Sequence, residues 1–218
     1  MRRLTILLLT AAPLLPGSAG GQTTFSLHGG PNRTMLAELD EDTLLLTPRK
    51  PVHGVDIGLG VTFRMSPPDD VYGFGVQLNA SYAQRGAAHT VLGQRSLIRM
   101  HYLLFNALYD MAFPFLWERL NTHFTAGPTL GGLIGCQREF GGVDGGSDYA
   151  RPCRDGDYRK LEFGLILGAR LEVGLSDKFG ISSGLQYHWG GRDIERHGDS
   201  GMLNRAISLR GGLLYTIR

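Results

Sequence analysis

From residue 160 to residue 175 apolar and polar positions alternate in a single register. Leu161, Phe163, Leu165, Leu167, Ala169, Leu171, Val173 and Leu175 share one side; Lys160, Glu162, Gly164, Gly168, Arg170, Glu172 and Gly174 share the other, with Ile166 the one apolar residue among them. Helical geometry would spread these leucines around the whole circumference, whereas a strand turns alternate side chains to opposite faces. The segment predicts a β-strand longer than soluble domains commonly use. An apolar face set against a charged, glycine-rich face suits a strand with lipid on one side and a polar lumen on the other.

Seven further segments alternate in the same way. Over 55–64, Val55, Ile57, Leu59, Val61 and Phe63 oppose Asp56, Gly58, Gly60, Thr62 and Arg64. Over 72–85, an apolar face with tyrosines near its ends opposes Gly73, Gly75, Gln77, Asn79, Ser81 and Arg85. Phe179, Ile181, Leu185, Tyr187 and Trp189 share a face in 179–189, and Ile207, Leu209, Leu213, Tyr215 and Ile217 share one in 204–218. The pattern is weaker over 122–136. It is interrupted by Gly29, Gly30 and Pro31 over 23–35, and over 97–111 apolar residues fall on both faces, so no register is assigned there.

The connections alternate in length, with long polar or glycine-rich stretches near 36–53, 86–95, 137–158 and 190–202 and short ones between. The apolar connection near 112–118 fits this scheme least and is expected in the membrane interface. Together these features predict an all-β fold, an eight-stranded antiparallel transmembrane up-and-down barrel with long connections on one rim and short turns on the other. A soluble lipocalin-like carrier would have the same strands with an apolar inside and a polar outside. Leucine-rich faces turned to water would aggregate, and the polar faces carry both charge signs, which favours the membrane arrangement.

Arg2 and Arg3, the apolar run of residues 4–15 and the small residues Pro16, Gly17, Ser18 and Ala19 form a secretory signal pattern, shorter than the roughly 20 residues of a spanning helix. The expected organisation is a signal peptide over 1–19 and a barrel domain over 20–218. Removing the signal takes the formal charge from +2 to zero, leaving no basic surplus to suggest nucleic acid. In an exported chain the only two cysteines, Cys136 and Cys153, are expected to form a disulfide across a glycine-rich exposed loop.

The strand GVDIGLGVTF at 54–63, the strand end ASYAQRG at 80–86, IRMHYLLFNALYD at 98–110 and FTAGPTLGGLIG at 124–135 resemble, in order, the strands of PorT-like porin-family outer-membrane β-barrels. Tyr82, Gln84, Arg85 and Gly86, with Ala126, Gly127 and Pro128, carry the sharpest part of that resemblance, while Leu103 and Leu104 stand where the family has a proline. The resemblance implies a fold and a place, the cell outer membrane of a Gram-negative-type bacterium, and little chemistry.

Sequence motifs for catalysis are weak. Ser182, His188 and Glu162 form the best inward-facing set, without matched heights or a nucleophile elbow, and hydrogen bonding in a packed lumen is the better account of them. Asp144, Asp148, Asp155 and Asp157 lack the spacing of a calcium loop, and Glu195, His197 and Asp199 read as surface. No cofactor or metal is expected. Because an eight-stranded barrel is just wide enough to be filled by side chains, Asp56, Arg64, Arg85, Glu162, Arg170, Glu172 and Arg210 are expected to form a lumenal ion-pair network. The expected partners are outer-membrane lipids, the barrel-assembly machinery and other envelope proteins met through external loops, and the chain is expected to be a monomer. A lipid-modifying enzyme and the soluble carrier are the alternatives.

Overall fold

The structure, a computed structural model, describes residues 22–38, 50–66, 72–91, 94–115, 117–141, 149–154, 156–191, 194 and 202–217. The signal segment lies outside the described residues, as do Asp144, Asp148, Asp155, Glu195, His197 and Asp199. The strands are β1 (Thr23–Glu38), β2 (Lys50–Arg64), β3 (Gly73–Val91), β4 (Gln94–Phe115), β5 (Trp117–Gly141), β6 (Tyr149–Pro152), β7 (Leu161–Gly174), β8 (Phe179–Gly190) and β9 (Met202–Ile217).

Every pairing is antiparallel. Neighbours run β4, β3, β2, β1, β9, β8, β7, β5, and β4 pairs with β5 to close the ring. The four-residue β6 adds to the upper end of β5 where β7 has not yet begun, so the barrel has eight staves. Closure removes the unpaired strand edges that lipid cannot solvate.

Polarity is inverted relative to a soluble barrel. Leu161, Leu165, Leu167, Leu171, Leu59, Leu185 and Leu213 are exposed on the outer wall, while Ser26, His28, Asn79, Asn106, Glu162 and Ser208 are buried inside. This is a membrane barrel, and the soluble-carrier arrangement is excluded by it. An aromatic ring marks the short-turn rim: Phe74 lies 6.1 Å from Tyr109, Phe113 5.8 Å from Phe124, and Phe179 5.2 Å from Tyr215, centroid to centroid. Trp189 and Tyr187 are exposed near the opposite rim, where amphipathic rings favour a headgroup layer.

The structure corrects several boundaries. Segment 23–35 is one unbroken strand through Gly29, Gly30 and Pro31, because Gly30 lets β9 approach closely and Pro31 still keeps its place opposite Val55. Residues 86–91 and 94–95 are strand, so the β3–β4 connection, expected to be long, is reduced to residues 92 and 93. Residues 137–141 belong to β5, and four of them pair with β6. The apolar stretch near 112–118 is no separate loop: β4 runs to Phe115 and β5 begins at Trp117. These extensions lie above or below the lipid belt, where no apolar face is needed and alternation fades.

Strand β4 has a register after all. Leu103, Phe105 and Tyr109 face outward, and Met100, Tyr102, Leu104 and Leu108 face inward together with Asn106 and Asp110. Its two apolar faces have different neighbours, lipid outside and a local core inside. A bulge at His101/Tyr102, with Ile134 the extra residue on β5, shifts the pairing there.

Candidate functional site

Inward alternation on eight staves brings the polar residues into three layers. Nearest the long-loop rim, Arg85 Nη1 donates to Glu162 Oε1 at 3.0 Å, and Asn204 Nδ2 donates to Glu162 Oε2 at 2.9 Å and to the Tyr102 hydroxyl at 3.2 Å. His188 Nε2 accepts from the same Arg85 nitrogen at 3.3 Å, and the guanidinium lies 5.4 Å from the Tyr102 ring centroid. Both carboxylate oxygens of Glu162 are thus satisfied, which a buried anion requires.

In the middle layer Arg210 Nη2 donates to Asp56 Oδ2 at 2.7 Å. Beside it lies a small polar cavity of about 60 Å³, bordered by Ser26, His28, Asn79, Arg170, Ser182 and Arg210. Nearer the short turns, His123 lies between two acids, with Nδ1 3.0 Å from Asp110 Oδ1 and Nε2 3.2 Å from Glu172 Oε2. Arg170 Nη2 donates to Asp110 Oδ2 at 3.0 Å and stands 3.8 Å from Glu172.

Six of the seven lumenal residues named from sequence therefore fall into these layers, but not into one network. Arg64 borders the lowest layer, near enough for its charge to act on Asp110 and Glu172, but among the described residues it forms no ion pair and donates from Nη1 to Gln22 Oε1 at 3.3 Å. Sequence reading missed Asp110 and His123, the centre of the lowest layer. Asp110 lies on the strand whose register was unassigned, and His123 on a weakly alternating one.

The serine, histidine and acid set does not assemble. His188 stands 3.8 Å from Glu162, but Ser182 lies three inward positions down β8, at the level of Gly212, where it borders the cavity.

Above the upper polar layer the mouth is closed by an apolar plug. Tyr158 and Ile194, from the two long connections around β7 and β8, are buried with Leu36, Met100, Tyr102 and Met202. Backbone bonds hold them in place: Arg159 N–H donates to Ile194 O at 2.8 Å, Ile194 N–H to Met202 O at 2.9 Å, and Leu133 N–H to Lys160 O at 2.8 Å. Arg138 Nη2 donates to the Tyr158 hydroxyl at 3.1 Å. Cys136 and Cys153 form the expected disulfide, with Cα atoms 5.4 Å apart, and pack against the plug.

The disulfide thus ties the β6 arm of the β5–β6 hairpin to β5 beside the plug. Replacing both cysteines with serine is expected to leave the barrel closed and to expose the bond after Arg138 to trypsin. Unchanged cleavage rates on gels of the refolded variant would show the hairpin to be held without it.

No protein-family model matches the chain, and no curated protein matches it. Among solved structures it is similar to a major outer membrane protein from Thermus thermophilus, at 14% identity over 89% of this chain and 99% of that one, with a TM-score of 0.50. It is also similar to Ail, the attachment invasion locus protein of Yersinia pestis, at 16% identity over 91% and 99% with a TM-score of 0.46. A third is Neisserial surface protein A, at 12% identity over 88% and 96% with a TM-score of 0.47. At such identities the likeness concerns the fold alone, and the first of the three, with a TM-score of 0.50, agrees with the membrane β-barrel described above.

Proposed function

We propose that this chain is a non-catalytic outer-membrane barrel of a Gram-negative-type bacterium whose lumen is sealed and whose work is done by the structure standing above the lipid. The observation that carries this reading is the filled bore: among the described residues three layers of buried polar side chains lie under an apolar plug, with a cavity of about 60 Å³ at the middle layer. Strands β3, β4 and β5 have 19, 22 and 25 residues, whereas β7 and β8 have 14 and 12. A spanning strand needs only about 9–11 residues. The excess forms a hairpin ledge, braced by the disulfide, on which envelope partners can be bound without any change in the bore.

The export signal and the outward leucine belt support the outer-membrane address. The strand motifs quoted above support a PorT-like affiliation and, with it, a place in a secretion or adhesion assembly. Assembly machinery and membrane lipids are the remaining partners in this reading, with the chain as a monomer.

Planar-bilayer recording provides the test. A sealed barrel is expected to give no wide, stable single-channel conductance, and a steady open level in the purified protein would overturn the reading. The enzymatic alternative is tested by replacing His188 with alanine and following acyl or phosphate release from lipid A. A turnover that depends on His188 would replace the scaffold reading with a catalytic one.

A further inference from the structure

The seam where β9 meets β1 carries two features on its outer wall, an indentation at mid-height and a pair of arginines above it. Gly29 and Gly211 are register partners there, and both belong to the outward-facing set. Without side chains at mid-height the wall is indented, and a groove of about 700 Å³ opens between Leu27, Leu213, Val55 and Ile57. A Cβ atom added at Gly211 would meet nothing within 4 Å, so the glycine there is not required by backbone packing.

Higher on the same seam the wall becomes basic. Arg33 is the register partner of Ile207, and Arg205 that of Met35, which places the two arginines diagonally across the strand pair, roughly 7 Å apart at the backbone. His53 is opposite Arg33 on β2 and Trp189 opposite Arg205 on β8. No hydrogen bond or ion pair with the described residues reaches either guanidinium, and Arg205 Nε is buried without an acceptor. Two like charges so placed repel unless an anion lies between them, and the guanidinium fork matches a phosphate. The exposed Trp189 ring marks this level as headgroup depth.

Arg33 is four residues along β1 from Gly29, or about 13 Å at strand rise. A molecule joining the two features needs a phosphate at one end and an acyl chain at the other. We propose that the β9–β1 seam binds one phosphate-headed membrane lipid, its phosphate held between Arg33 and Arg205 and an acyl chain lying in the Gly29–Gly211 groove. The lipid covers the seam on which the first and last strands close the ring. The inference rests on the barrel being embedded in a membrane, so only protein whose gel migration shifts on heating, as that of a closed barrel does, enters the test, and absence of that shift is a separate result that counts against the barrel itself.

The test is native mass spectrometry of the full barrel released from dodecyl maltoside micelles doped with dioleoyl phosphatidylglycerol or with dioleoylglycerol, which has the same acyl chains and no phosphate. One phosphatidylglycerol adduct is expected, retained at least about tenfold better than dioleoylglycerol, as loss of a paired charge-assisted contact implies. The double variant Arg33→Gln/Arg205→Gln is expected to lose that preference. Gly211→Leu, which fills the groove and leaves both arginines in place, is expected to lower occupancy as well. Equal retention of the two lipids, or undiminished phosphatidylglycerol binding in the double variant, would overturn the proposal. So would displacement of the adduct by millimolar inorganic phosphate with Gly211→Leu unaffected, which would describe a site for free anions.

Discussion

Replacing Glu162 with leucine is expected to destabilise the refolded barrel by about 3–5 kcal/mol, the range for removing one partner of a buried ion pair. Arg85 and Glu162 have side chains only 3% and 2% exposed, and among the described residues no second acid forms an ion pair with Arg85. The variant leaves a guanidinium enclosed by Tyr102, Asn204 and His188, with only neutral groups to meet it. Removing both charges, as Arg85→Met/Glu162→Leu, is expected to recover most of the loss, since an ion pair exchanged for apolar groups of similar size is often near neutral. Urea titration of the barrel in lipid vesicles, followed by tryptophan fluorescence, measures both. If the double variant were as unstable as Glu162→Leu, the effect would lie in packing of the plug above and not in the orphaned charge.

A second large effect is expected at Gly86. This residue lies within an irregularity of the β2–β3 pairing, between the Asp56–Ala83 and Pro51–Ala87 partners, and its φ of +157° is one that residues with side chains rarely adopt. A Cβ there would collide with the Ile98 carbonyl oxygen, a backbone atom that cannot swing away. Thr34 Oγ1 locks the position from the lumen, accepting from Gly86 N–H and lying 3.0 Å from Gly86 O. Gly86→Val is expected to cost about 3 kcal/mol or more by overpacking and backbone strain, and to disorder the hairpin above it. Gly211→Val is the control, because its Cβ enters open space. Comparable losses in the two variants would mean that valine is disfavoured in these strands generally and that the Ile98 contact is immaterial.

How much of this was legible in the chain depends on what each face meets. The faces of β2, β7 and β8 were readable because lipid outside and polar layers inside impose opposite demands on successive residues. Ile166 stood out in sequence as an apolar residue on a polar face, and it is buried inside the barrel at 1% exposure. The face of β4 was unreadable for a related reason: its inward Met100, Tyr102 and Leu104 build the plug, so both sides are apolar. Tyr158 and Ile194 gave no signal at all, being single apolar residues in polar connections.

The lumenal charges show a second limit. Periodicity places Asp56, Arg85, Glu162, Arg170, Glu172 and Arg210 on the inner face, but their height depends on the stagger between strands, which no single strand encodes. Hence Arg85 meets Glu162 and Arg210 meets Asp56, while Arg64 turns to Gln22 and His123 gathers the lowest acids.

The most direct measurement of the central claim, a barrel with its leucine face in lipid and its charged face in a sealed lumen, is spin-label collision along β7. Among the described residues there is no free thiol to interfere, so a cysteine placed singly at 165, 166, 167 or 171 carries the only label. In vesicles, labels at Leu165, Leu167 and Leu171 are expected to collide freely with oxygen and little with a water-soluble nickel chelate, and a label at the inward-facing Ile166 with neither. Nickel access to Leu165, Leu167 and Leu171 above that to Ile166 would place the leucines in water and contradict the membrane barrel.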